Sequence, residues 1–130
     1  MTPSLNQLSA TELLARYASR ELSPVDVLRD VLAQVVRCEP HLHALWARDA
    51  EGAMVMARAS EARWQQGTAR ALEGVPVTIK ENIATQGVPV PLGTAATTLV
   101  PALRDAPPAA RLREAGAVFF GKTTMPDWGM

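Results

Sequence analysis

Two short β-forming runs, joined by a broken connection and then a helical stretch, constrain this 130-residue chain more than any other feature. The first run lies in Leu72-Glu73-Gly74-Val75-Pro76-Val77-Thr78-Ile79-Lys80-Glu81-Asn82, where Val75, Val77 and Ile79 alternate to give one apolar face. Pro76 donates no ladder hydrogen bond, so it belongs at the start of a strand or on an edge. The second run is Ala117-Val118-Phe119-Phe120-Gly121. Between them, Gly87, Pro89, Pro91, Gly93 and Pro101 interrupt regular structure from Thr85 to Arg104. Such a segment reads either as a flap over a pocket beside Lys80 or as a surface crossing. Asp105 is the expected cap of the helix that follows. Its first turn accommodates Pro107 and Pro108, Leu112 and the alanines face inward, and Gly116 ends it. The order strand, crossover, helix, strand predicts parallel α/β architecture. Ligands usually bind at the carboxyl ends of such strands, and the first carries Lys80, Glu81 and Asn82 there.

Upstream the pattern is helical. Ser9-Ala10-Thr11-Glu12 is a capping box, with Leu8 and Leu13 at the hydrophobic-staple positions. The helix it starts runs to about Arg20, with Leu13, Leu14 and Tyr17 inward. Ser23-Pro24-Val25-Asp26 starts a second helix, with Pro24 at its first position and Asp26 at its positive end. Leu28, Val31, Leu32, Val35 and Val36 are its expected buried stripe, and Pro40 its expected stop. Leu42 to Arg48 reads as a strand or extended link. Asp49 then caps a helix from about Ala50 to Gln66, closed by Gly67. Met54, Val55, Met56 and Trp64 add bulk to it, and the methionines and the tryptophan read as packing residues. The expected organisation is one domain over 1–130, mainly helical over 1–70 and β-loop-α-β over 71–130.

Composition narrows the function classes. Apolar residues make up 48%, enough to form a core, and thirteen basic residues balance thirteen acidic ones. No basic patch argues for nucleic acid. No apolar run is long enough to span a bilayer, and residues 1–7 lack the layout of a signal peptide. Cys38 stands alone, which excludes an intramolecular disulfide and fits a reducing cytoplasm. At a helix C-terminus it reads as a structural or surface thiol. His41 and His43 lack a third metal ligand nearby and read as surface residues, so no metal is expected. Gly116-Ala117-Val118-Phe119-Phe120-Gly121-Lys122-Thr123 fits the phosphate-loop pattern GxxxxGK[ST]. That chemistry needs a loose loop between a strand and a helix. Here a helix comes first and strand-formers fill the gap, so neither nucleotide nor any other cofactor is expected.

Lys80 has two readings. Lysine is rarely fully buried, so one is a strand-end lysine in water. In the other, a dry pocket lowers its pKa and the neutral amine accepts a proton from a serine hydroxyl.

The words Gly74-Val75-Pro76-Val77, then Ile79-Lys80-Glu81-Asn82, resemble the amidase signature family. So do Ile83-Ala84-Thr85-Gln86-Gly87, Leu92-Gly93-Thr94, Ala110 to Val118, and Gly121-Lys122-Thr123-Thr124-Met125-Pro126-Asp127-Trp128. Thr94 stands for the usual serine, Thr124 for the usual asparagine, and Glu81 for the more common aspartate. The resemblance implies N-terminal helices followed by part of a mixed, largely parallel sheet flanked by helices, an incomplete α/β/α sandwich. It also implies hydrolysis of carboxamide C–N bonds by a Ser-cis-Ser-Lys triad with Lys80 as base. Met125 and Met130 would line the acyl pocket. The family's Gly-Ser-rich nucleophile loop has no counterpart here, so both triad serines are expected beyond Met130. The implied partners are a small-molecule amide and either a complementary C-terminal segment or a second copy. Two alternatives remain: an inactive α/β scaffold or partner-binding module, and an amidotransferase A-like subunit fragment.

Overall fold

The computed structural model describes residues 4–130. A short 3-10 turn at Leu5–Gln7 leads into helix α1, Ala10–Ala18. Its capping box forms as expected: the Glu12 N–H donates to Ser9 Oγ at 3.3 Å, and the Ser9 N–H donates to Glu12 Oε2 at 2.8 Å. Leu8 and Leu13 meet in a cluster with Tyr17, Val27 and Trp64.

Helix α2, Pro24–Leu42, starts as expected, with Ser23 Oγ accepting from the Val25 N–H at 3.0 Å. It does not stop before Pro40. Proline removes one bond to the carbonyl four residues back, that of Val36. Val36 is 70% exposed, so water can satisfy that carbonyl. The helix ends instead at His43, which takes a left-handed conformation and donates to Glu39 O at 3.0 Å. Val36 therefore lies outside the buried stripe. Val25, Val27 and Leu28 form the buried part.

Helix α3, Ala50–Gln66, has the expected bounds, with Asp49 accepting from the Gly52 N–H at 2.8 Å and Gly67 left-handed at its end. Strand β1, Pro76–Lys80, begins at its proline. Helix α4, Pro107–Glu114, is preceded by Ala106, which gives no side-chain cap. Asp105 is drawn away to Arg113 (2.7 Å) and to the Gln86 N–H (2.8 Å), so it ties the crossover to α4. Strand β2, Val118–Thr123, runs two residues beyond the apolar run.

The strands pair in parallel, Pro76 opposite Val118 and Lys80 opposite Thr123, with an irregularity between Val77 and Thr78. On β2, opposite that step, the register advances from Phe119 directly to Gly121. Side chains on one sheet face pack on α2 and α3 through Val25, Leu28, Ala53, Ala57 and Val118. The other face packs on α4 through Ile79, Phe119 and Ala109. This is an α/β/α layering. The link after α2 follows the outer side of β2, where Trp46 donates to Lys122 O and Asp49 to Phe120 O, each at 3.1 Å. The crossover folds back on itself by bridges Gln86 to Ala102 and Pro89 to Pro101. Leu99, Val100 and Leu103 stay exposed.

The N-terminal end of β1 holds a buried anion. Glu73 has no exposed surface. Its carboxylate accepts from Ser60 Oγ (2.5 Å) and Arg70 Nε (2.6 Å), and Arg63 Nε lies 3.1 Å away. Gly116 makes room for it: φ is +95°, and an added Cβ would lie 2.7 Å from Glu73 Oε2. No helix among the described residues is long and apolar enough to cross a membrane.

Candidate active site

Because β1 and β2 are parallel, both carboxyl ends open at the same side of the molecule. Lys80 is the last residue of β1 and stands in register with Thr123. The chain leaves β1 in a tight turn, with the Ile83 N–H donating to Lys80 O and the Glu81 N–H to Thr123 O, each at 3.0 Å. The Glu81 side chain folds inward: the residue is 4% exposed, and its carboxylate accepts the Gly93 N–H.

Gly93 brings the crossover loop against the chain's last segment. Its φ is +72°, and a Cβ there would lie 2.4 Å from Pro126 O and 2.8 Å from Met125 O. The Trp128 N–H donates to Leu92 O at 2.8 Å. Two of the family's motif words, Leu92-Gly93-Thr94 and Met125-Pro126-Asp127-Trp128, thus meet at the strand exits. The crossover is more than a surface crossing at this point.

Lys80 itself is exposed. The described residues form no dry pocket around it, because a two-stranded sheet leaves the exit of β1 open to water. Met125 is half-buried beside the loop, and Met130 is 93% exposed. The lysine that burial perturbs is the other one. Lys122 is 3% exposed on β2, beside Ile79, and its Nζ donates to Ile83 O at 2.7 Å. Burial pushes its pKa down from the ordinary lysine value, against the attraction of Glu81. It lines a cavity of about 140 Å³ with Met56, Ile79, Thr85, Val88 and Phe119. Lys122 sits inside a strand, so the phosphate-loop pattern has no loop to serve it. The sequence reading missed Lys122 and Glu73. The signal available for Lys122 was its place directly after the apolar run Ala117–Gly121, close enough for the strand to continue through it.

Cys38 is half-buried and accepts from Gln34 Nε2 at 2.9 Å, and His41 and His43 are exposed. No group of three or more His, Cys, Asp or Glu poised for a metal occurs among the described residues.

In parallel α/β units ligands usually bind at the carboxyl edge of the strands, and two clamped loops bracket that edge here. Residues 26–130 match the family model for amidases. The chain belongs to that family, the amidase-signature proteins. It is 35% identical over its whole length to the A subunit of the glutamyl-tRNA(Gln) amidotransferase of Roseiflexus castenholzii, covering 26% of that protein. Among solved structures, it resembles the native peptide amidase of Stenotrophomonas maltophilia with 26% identity and a TM-score of 0.81, covering 94% of this chain and 26% of that one. It also resembles a chain of a vestigial protein complex described as revealing the origins of an s-triazine catabolic enzyme, with 30% identity and a TM-score of 0.87, covering 92% of this chain and 27% of that one. The chain therefore spans about a quarter of the length of the curated relatives it matches.

Proposed function

We propose that these residues are the N-terminal part of an amidase-signature amidohydrolase that cleaves carboxamide C–N bonds, forming a single partial domain. In this reading Lys80 is the base, and both triad serines lie on polypeptide outside these 130 residues. The observation that carries it is the position of Lys80, at the carboxyl end of β1 and in register with Thr123, beside the clamped 92–94 and 125–128 segments. The amine takes a proton through the bridging serine. The nucleophilic serine attacks the amide carbonyl, the proton held by Lys80 passes back through the bridging serine to the departing ammonia or amine, and water hydrolyses the acyl-enzyme. The serine-bearing segment would cover the open exit of β1 and exclude water from the Lys80 amine. Met125 and Met130 would border the acyl group. The lone cysteine supports a reducing, cytoplasmic setting.

In the enzyme carrying the serine loop, Lys80→Ala is expected to slow carboxamide hydrolysis by about 10²–10⁴-fold without moving the unfolding transition. An unchanged rate would remove Lys80 from the mechanism. The 130-residue chain alone is expected to show no turnover, and turnover would place the nucleophile within it.

A second reading, an A-like amidotransferase component, is favoured by the relatives that carry that name. It implies a protein partner. Glutamine hydrolysis that rises when a partner protein is added would favour it, and a rate indifferent to any partner would favour the free-standing amidase.

A further inference from the structure

We infer that Lys122 is a positioning residue for Lys80: bonded to the Ile83 carbonyl, its buried ammonium braces the turn through which the chain leaves β1. The inference rests on the reading of Lys80 as the base. Lys80 and Lys122 are the only lysines of the chain, all other basic residues being arginine. They stand at neighbouring register positions, Lys80 opposite Thr123 and Lys122 opposite Ile79. Successive side chains of a strand point to opposite faces, so Lys122 shares the Ile79 face while Lys80 opens on the other.

One residue joins the two. The Ile83 N–H donates to Lys80 O at 3.0 Å, and Ile83 O accepts from Lys122 Nζ at 2.7 Å. The turn is thus closed by its own backbone and held from beneath by a cation. Its other flank is held by Glu81, whose carboxylate takes the Gly93 N–H. Burying an ammonium is costly unless it is bonded, and an unbranched apolar side chain would fill the same space without that cost. The stabilisation gained is therefore local to the contact made, the Ile83 carbonyl. A lysine suits it because the ammonium is a compact donor on a flexible stem, whereas a guanidinium needs a planar, forked set of acceptors.

The test uses Lys122→Met. In the 130-residue chain, hydrogen exchange of the Ile83 amide is expected to quicken by about 10-fold or more, while the amides of Ala53 and Ala57 in α3 keep their protection. Unchanged Ile83 exchange overturns the inference. In the enzyme carrying the serine loop, kcat is expected to fall by up to about 10²-fold with little change in KM, since misplacing a reacting group costs that much. A fall in kcat/KM through KM alone overturns the positioning role. Lys122→Arg, which retains a donor, should recover part of the Ile83 protection, and no recovery counts against the brace. If Lys122→Met does not fold, reductive methylation of the unaltered chain serves. Lys80 should label readily and Lys122 slowly, and equal labelling overturns the inference. The two readings fail separately: loss of Ile83 protection in Lys122→Met beside full activity of Lys80→Ala would sink the proposed base and leave the brace standing.

Discussion

The two ends of β1 carry charges of opposite sign in opposite conditions. At the N-terminal end Glu73 is sealed and its partners are complete: Ser60, Arg63 and Arg70 surround it, and its backbone oxygen accepts from Trp64 Nε1 at 3.1 Å. Burial works to raise its carboxyl pKa, and hydrogen bonds from Arg70 and Ser60, with the charge of nearby Arg63, overcome that, bringing it to about 2. At the carboxyl end Lys80 is exposed, and no acidic partner holds it among the described residues. The most perturbed carboxylate is thus a structural one, and the candidate for chemistry is a charge the fold leaves free. Perturbation marks functional sites only when it comes with access to a cleft, because closed ion networks shift pKa values as strongly.

That contrast can be broken at either end. Glu73→Ala strands Ser60 and two arginines, and is expected to cost about 3–5 kcal/mol in urea unfolding, the usual loss when one partner of a buried pair is removed. A loss of under about 1 kcal/mol would show the N-terminal end to be no more structural than the other.

The same carboxylate governs acid stability. Its folded pKa of about 2 lies below the unfolded value of 4.5, so its stabilisation is complete above pH 4.5 and is lost as pH falls toward 2. In that window the unfolded chain binds a proton that the folded chain does not. The shift corresponds to about 3 kcal/mol, and Glu73→Gln should flatten the acid limb of a stability–pH curve by that order.

Gly93→Ala forces a Cβ toward the Pro126 carbonyl at positive φ, and is expected to cost about 1–3 kcal/mol and to loosen the Leu92–Trp128 contact. Trp128 fluorescence and thermal unfolding read both. The smallest effect sharpens the comparison most. Lys80→Ala in the 130-residue chain should change stability by no more than about 0.5 kcal/mol, as for an exposed side chain away from any network. A large loss in calorimetry would make Lys80 a structural cation.

The helical half was legible because its signals are local. Ser9 with Glu12, Ser23 with Pro24, and Asp49 with Gly67 act within a turn or two of chain, and each helix starts or stops where they direct. The parallel pairing was legible from the order of the elements, since a helix between two short apolar runs returns the chain to the same direction. The motif words at Leu92 and Met125 were legible as words, but their clamp through Gly93 was not. The failures lie where surroundings outweigh the local signal. Pro40 continues its helix because its neighbours face water, and Asp105 abandons the cap for Arg113 and Gln86.

Caps, turns and strand starts follow from residues a few positions apart, whose free energies are settled before the chain closes on itself. Which of the two lysines is buried, and that Glu73 is sealed beside arginines from two different segments, depends on groups between three and 39 positions apart meeting in a medium of lower polarity. Desolvation is a property of that assembled surrounding, so the residue letters carry the charges while the packing decides which of them remains in water.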